Sequence, residues 1–213
     1  MYKNIFFDFD GTVFDTVEGI TKSVRYAINK VGLDAELNEL RCFAGPPLED
    51  MFAEYFGFTH EQSIQAVADF RERYTPIGLY ECRVFPGMKE LLTGLREAGL
   101  KVAIATSKPQ FLAETLLTRE GMLELFDVIE GTKLDGHNDS KADVLMRAMN
   151  ALGAAPEDSV LIGDTKWDVL GAKKCGIDCI GVEWGYAAEG DMEKAGVKEM
   201  TASPEELLRR LTD

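Results

Sequence analysis

The sequence predicts an α/β fold, a doubly wound parallel sheet interrupted by an inserted all-α domain. Short apolar runs alternate with amphipathic helical stretches, the pattern of a parallel sheet with right-handed crossovers. The first run, Ile5-Phe6-Phe7, sets three bulky residues in succession, as a strand covered on both faces requires. Residues 16–80 show helical periodicity with no strand pattern, a stretch of small-domain size. The expected division is an α/β core of residues 1–15 and 81–213 and a helical domain of residues 16–80.

In order, the opening strand ends at Asp8, and Gly11 frees the backbone to turn out of it. In the insertion, Ile20, Val24, Ala27, Ile28 and Val31 recur at helical spacing until Gly32. Met51, Phe52, Tyr55 and Phe56 repeat the pattern before Gly57. Ile64, Val67, Ala68 and Phe70 mark the apolar positions of a third helix, which should stop before Pro76. After Pro86-Gly87, Leu91, Leu92 and Leu95 predict a helix closed by Gly99, and residues 102–105 a strand ending at Thr106-Ser107-Lys108-Pro109. Leu112, Leu116 and Leu117 lead a helix to Gly121, residues 126–129 are a strand candidate, and a helix over 142–152 has Ser140 as its cap. A strand over 160–162 runs into Gly163-Asp164. A helix over 169–174, a strand over 179–182 and a closing helix over 204–211 complete the chain.

With 213 residues, 46% apolar and 28% charged, the composition is that of an ordinary globular protein. Its 23 basic and 37 acidic residues give a net charge of -14. That field repels nucleic acid and anionic membrane, so neither is an expected partner, and an anionic substrate needs locally placed cations. The N-terminal run is broken by Asp8 and is no secretory signal, and no stretch has the length of a membrane span. Cys42, Cys82, Cys175 and Cys179 are widely spaced and there are two histidines, His60 and His137, which argues against a zinc site. Reduced, mostly buried thiols in a cytoplasmic protein are expected.

Four polar sites fall just after a strand or at a helix start: Asp8/Asp10, Thr106/Ser107, Lys141, and Asp164 with Asp168. In a parallel sheet those points share one edge, where open α/β folds bind ligands. Asp8 and Asp10 are two apart, so in continued strand geometry their carboxylates leave the same side, where a divalent cation relieves their repulsion. A solvated strand end accounts for the same pair. Asp164 and Asp168 are four apart, at the N-terminal end of one helix face. With Asp8 they form an all-oxygen set suited to Mg2+, although acidic residues also favour a helix first turn through its dipole. Thr106 and Ser107 offer hydroxyls and N–H groups at an expected helix start, as an anion cradle or as ordinary caps. Lys141 is unfavourably placed for its helix dipole, which points to a role beyond structure. An exposed lysine is the alternative, and Lys133 is the competing cation.

Asp8-Phe9-Asp10-Gly11-Thr12, Thr106 after its strand, Lys141, and Gly163-Asp164-Thr165-Lys166-Trp167-Asp168 resemble, in order, the four motifs of the haloacid dehalogenase superfamily of phosphohydrolases. The likeness covers nearly the whole chain, helical cap included. Thr106-Ser107-Lys108-Pro109 is similar to the phosphoglycolate phosphatase-like branch. One departure is that residues 139–143 lack the prolines many relatives carry after the lysine. The resemblance implies Asp8 as nucleophile, Asp10 as general acid and base, and Thr106 and Lys141 as the phosphate clamp. It implies Mg2+ on Asp8, the Asp10 carbonyl and Asp164, with Asp168 as ligand or support. Gly11, Thr12, Ser107 and Lys108 are carried over as substrate-binding positions, and Arg41 and Gly45 as cap residues that contact substrate, a surface arginine before a turn being the alternative for Arg41. The implied enzyme is a Mg2+-dependent phosphatase of a small phosphorylated metabolite, phosphoglycolate first, acting as a monomer or homodimer. The other readings are a 5'-nucleotidase or pyrophosphatase, a phosphosugar mutase, and a non-catalytic phosphate-responsive module.

Overall fold

The computed structural model describes residues 1–133 and 139–213, and His137 lies outside the described residues. The chain divides into two compact units, one of Met1–Phe14 with Val84–Asp213 and one of Asp15–Arg83. In chain order the strands are β1 (Asn4–Phe7), β2 (Phe14–Asp15), β3 (Arg83–Val84), β4 (Lys101–Pro109), β5 (Val128–Thr132), β6 (Ser159–Gly163), β7 (Asp178–Val182) and β8 (Glu199–Thr201). The helices are α1 (Val17–Asn29), α2 (Leu48–Phe56), α3 (His60–Tyr74), α4 (Met88–Glu97), α5 (Gln110–Arg119), α6 (Lys141–Leu152), α7 (Lys166–Cys175), α8 (Asp191–Ala195) and α9 (Pro204–Thr212). β2 and β3 form a small sheet of their own.

The first unit is built on a six-stranded parallel sheet of order β5-β4-β1-β6-β7-β8. β1 is central, with Ile5 opposite Val102 on one side and Val160 on the other. Chain order runs outward through β4 and β5 and then returns to the far side of β1. The C-terminal end of β1 is therefore the switch point at which doubly wound sheets open a crevice. Ile5, Phe6 and Phe7 are each fully buried. Phe6, Ala103, Ala105 and Leu161 pack under Val144, Leu145 and Ala148 of α6 and Ala172 of α7. Truncating a ring such as Phe6 to alanine costs about 3–5 kcal/mol, so this face carries much of the unit's stability.

The second unit is helical. Ile20, Val24, Ala27 and Ile28 form the buried stripe of α1, and Gly57 ends α2 in the left-handed conformation at φ 67°. A Cβ at Gly19 would run into the Gly78 carbonyl oxygen, so a glycine is required where α1 meets the turn Gly78–Tyr80. Glu81 accepts from Arg73 at 2.9 Å and from Lys22 at 3.0 Å.

Several elements differ from expectation. α3 buries Ser63, Ala66, Phe70 and Tyr74 with Val67 half-buried beside them, whereas Ile64 is 50% exposed and Ala68 is exposed. Phe70 and Tyr74 stack with centroids 4.9 Å apart and fix the helix rotation, overriding the weaker apolar stripe. β4 runs four residues beyond its predicted end, because Pro109 holds Lys108 in extended backbone and removes the donor a helix would use. β8, α8 and the β2/β3 pair escaped prediction. β8 is a three-residue edge strand with one buried residue, too short to show a period. Only Cys175 is buried; Cys42 is exposed and Cys82 and Cys179 are half-buried, all as free thiols. Among the described residues no helix is long and apolar enough to cross a membrane.

Candidate active site

The ladder of β1 continues one residue beyond Phe7, because the Asp8 N–H donates to the Ile162 carbonyl at 2.9 Å. The chain then winds into a tight turn in which the N–H groups of Val13 and Phe14 both donate to the Phe9 carbonyl and Gly11 adopts φ 85°. Strand geometry thus ends before Asp10, and the carboxylates of Asp8 and Asp10 do not share a partner. Asp8 Oδ1 lies 2.6 Å from Lys141 Nζ, while Asp10 Oδ1 and Oδ2 lie 3.0 and 3.3 Å from Lys108 Nζ. The expectation that the pair would converge on one cation is corrected for the Asp10 side chain.

Asp8, Asp164 and Asp168 do converge. Each is buried and each offers an oxygen within 4.8 Å of the others. Asp164 follows β6, and Asp168 stands in the first turn of α7. There its Oδ2 accepts from the Thr165 N–H at 3.0 Å and hydroxyl at 2.8 Å, so the helix-capping role and the site role are held by different oxygens. Asp168 Oδ1 lies 2.8 Å from Lys141 Nζ. Lys141 opens α6 behind the Ser140 cap and is buried. Its stem passes α7 where a Cβ at Gly171 would lie 2.8 Å from Lys141 Cγ. Lys133, the competing cation, is exposed.

Burial, then the charges of Asp168 and Asp8, push the Asp164 carboxyl well above its ordinary range, against donation from the Tyr186 N–H and Thr12 hydroxyl. Asp8 is raised too, chiefly by burial, with Lys141 pulling the other way. Burial alone would lower Lys141, but Asp168 and Asp8 more than offset it and keep the ammonium charged. Four buried carboxylates thus face two buried ammonium groups, those of Lys108 and Lys141. The excess negative charge, the all-oxygen donor set and the absence of sulfur or imidazole from the trio fit a hard divalent cation such as Mg2+.

Of the remaining predicted positions, Thr106 is buried and its hydroxyl accepts from the Lys108 N–H at 3.1 Å. Thr106 and Ser107 belong to β4, and the next helix begins only at Gln110, so the anion cradle at a helix start is corrected to an extended strand end. Thr12 is fully buried with its hydroxyl donating to Asp164 Oδ1 at 3.1 Å, which makes it a support for that carboxylate. A Cβ on Gly11 would collide with Asp164, so the glycine serves close approach as well as the turn. Arg41 and Gly45 belong to the helical unit, Arg41 exposed in the turn Glu39–Phe43 and Gly45 at φ 111°.

Sequence reasoning passed over Trp184-Gly185-Tyr186. The Tyr186 N–H donates to Asp164 Oδ2 at 2.8 Å and Trp184 Nε1 donates to the Thr12 carbonyl at 3.1 Å. A Cβ on Gly185 would also run into Asp164. The available signal was position: these residues follow β7 at the same sheet edge as the other sites.

Residues 5–182 match the family model of the haloacid dehalogenase-like hydrolases. The chain is 40% identical over 192 residues to a 5'-nucleotidase of Pseudomonas aeruginosa, covering 90% of this chain and 87% of that one. It is 37% identical over 199 residues to tyrosine-protein kinase PtkA of Mycobacterium tuberculosis, covering 92% of this chain and 67% of that one. The crystal structure of a predicted phosphatase from Clostridium acetobutylicum superposes with a TM-score of 0.96 at 36% identity, over 99% of this chain and 98% of that one. The chain belongs to the haloacid dehalogenase-like hydrolases.

Proposed function

We propose that this hydrolase is a Mg2+-dependent phosphatase that cleaves a small, phosphoglycolate-like phosphomonoester through an aspartyl phosphate on Asp8. The observation that carries the reading is the Asp8 carboxylate, 2.6 Å from Lys141 and clustered with Asp164 and Asp168 at the switch point of the sheet. An Asp8 oxygen attacks phosphorus as the bond to the leaving oxygen breaks, and Asp10 gives that oxygen its proton. Asp10 then takes a proton from the water that attacks the aspartyl phosphate, releasing inorganic phosphate and restoring Asp8. Asp8 and Asp164, with the Asp10 carbonyl, would hold the ion, and Asp168 would orient Lys141 behind them. When bound, Mg2+ supplies positive charge that keeps Asp8 ionised and offsets charge on the phosphate oxygens. Lys141 and Thr106 add fixed charge and dipole to that clamp.

The helical unit is proposed as a cap that supplies substrate specificity, with Arg41 and Gly45 among its contacts, and Gly11, Ser107 and Lys108 as contacts from the other unit. The setting proposed is the cytoplasm. A second reading, a 5'-nucleotidase, is favoured by the 40% identity to a protein of that name. Hydrolysis of p-nitrophenyl phosphate with and without Mg2+, in the wild type and Asp8→Asn, tests the chemistry. Turnover surviving the substitution removes Asp8 from its role, and no turnover of any phosphate by the wild type favours a phosphate-responsive module. A panel of phosphoglycolate, nucleoside 5'-monophosphates and pyrophosphate then ranks the substrates, and transfer to a sugar instead of water identifies a mutase.

A further inference from the structure

We propose that Lys108 is a positioning residue that holds the Asp10 carboxylate apart from the Asp8–Asp164–Asp168 trio and so reserves it for proton transfer to the leaving group. The inference rests on the phosphatase reading above. Asp8 and Asp10 are two residues apart in a tight turn, yet only Asp8 joins the trio. The difference is their counterions. Lys141 bridges Asp8 and Asp168. Lys108 Nζ instead reaches both oxygens of Asp10, with the two side chains 3% and 11% exposed, and stands over the Phe9 ring at 5.7 Å from its centroid. A buried ammonium within reach of both oxygens holds the carboxylate at the lysine through charge-assisted contacts.

The lysine is itself fixed from behind. Its backbone N–H donates to the Thr106 hydroxyl, and the Thr132 hydroxyl donates to the Ser107 carbonyl at 3.0 Å. The register of β4 against β5 shifts between Ala105 and Pro109, so the strand that carries Lys108 departs from regular pairing where the side chain is needed. Two lysines thereby divide four carboxylates into two groups with separate work. Without Lys108, Asp10 would be a buried carboxylate with no counterion beside a cluster that attracts cations, and nothing in these contacts would hold it apart from that cluster.

The test uses the leaving group as its readout. Protonation by Asp10 matters for a poor leaving group such as an alkoxide and matters far less for dinitrophenolate. Lys108→Met should lower kcat on a simple alkyl phosphate by about 100-fold, the low end of what general acid catalysis contributes, and by at least about tenfold less on 2,4-dinitrophenyl phosphate. In an Asp10→Asn background the same substitution should cost under about threefold more, because the group it acts through is already gone. Lys108→Arg, which keeps the positive charge, should recover part of the loss. Titration calorimetry without substrate should find Mg2+ bound by Lys108→Met at least as tightly as by the wild type, and matching melting temperatures establish that the variants are folded. Equal losses on both esters, a loss confined to KM, additivity with Asp10→Asn, or Mg2+ binding weakened tenfold would each overturn the proposal. Failure of the phosphatase reading looks different: the wild type would turn over neither ester.

Discussion

Tyr186 donates its backbone N–H to Asp164 Oδ2 at 2.8 Å, so a loop beyond β7 fixes the carboxylate that follows β6. The other oxygen is held by the Thr12 hydroxyl at 3.1 Å. Asp164 is thereby aimed into the acidic trio by donors from both ends of the chain. Thr12→Val keeps the shape of the side chain and removes one donor. It should cost about 1–3 kcal/mol by urea denaturation, the range for leaving a buried acceptor short of a partner. It should also weaken Mg2+ binding by about 10–100-fold in calorimetry, as loss of a supporting hydrogen bond does at metal sites. Unchanged affinity would show that Thr12 does not orient the carboxylate.

Gly185→Ala tests the same carboxylate sterically. The added methyl would occupy the space of the Asp164 side chain, and Gly185 has no positive φ to complicate the outcome. The expected result is a folded protein whose melting temperature no longer rises when Mg2+ is added. A normal Mg2+-dependent rise would mean that the loop moves aside at little cost.

Lys141→Met removes the only ammonium within salt-bridge distance of Asp8 and Asp168 among the described residues. Breaking a buried pair by deleting one partner costs about 3–5 kcal/mol, because charge is left uncompensated. The loss should be smaller with Mg2+ present than with EDTA, since the ion replaces part of the missing charge. Equal losses in the two conditions would separate the lysine from the proposed ion. In the wild type, EDTA should abolish hydrolysis and lower the melting temperature, and added Mg2+ should restore both.

In the helical unit, the Arg73 hydrogen bond, with that of Lys22, holds the Glu81 carboxyl below its ordinary range against the effect of burial. A carboxyl lowered by folding binds its proton more weakly in the native than in the unfolded state. Its contribution is therefore complete above the unfolded value of about 4.3 and is lost as pH falls through the folded value. Thermal melts between about pH 6 and pH 3 should show a shallower acid-side loss for Glu81→Gln than for the wild type. Parallel curves would remove Glu81 from the acid sensitivity of the fold.

The parts of the site that were legible were those whose chemistry is local. Asp8 could be placed because Ile5-Phe6-Phe7 marks a buried strand and the acid marks its end, and Asp164 because it follows a second such run. Lys141 was legible as a cation badly placed for its helix dipole, but its partners were not, since Asp8 comes from the end of β1 and Asp168 from the first turn of α7. The ion pair of Lys108 with Asp10 was not legible, because nothing in Thr-Ser-Lys-Pro reveals that the chain stays extended and carries the ammonium to Asp10. The face of α3 was misread in part for a similar reason: of Ile64, Val67, Ala68 and Phe70, only Phe70 is buried, and it stacks with Tyr74 on the side that faces inward.

Taken alone, the order of residues determined the α/β alternation, the helical insertion and the acidic strand ends, because burial periodicity and turn chemistry are properties of neighbours along the chain. Tertiary structure alone decided which lysine serves which carboxylate, that Thr12 and Tyr186 hold Asp164, and that Gly185 leaves room for it. Those pairings depend on strand order, which brings β1, β4 and β6 side by side and lets charges distant in sequence meet where water is excluded.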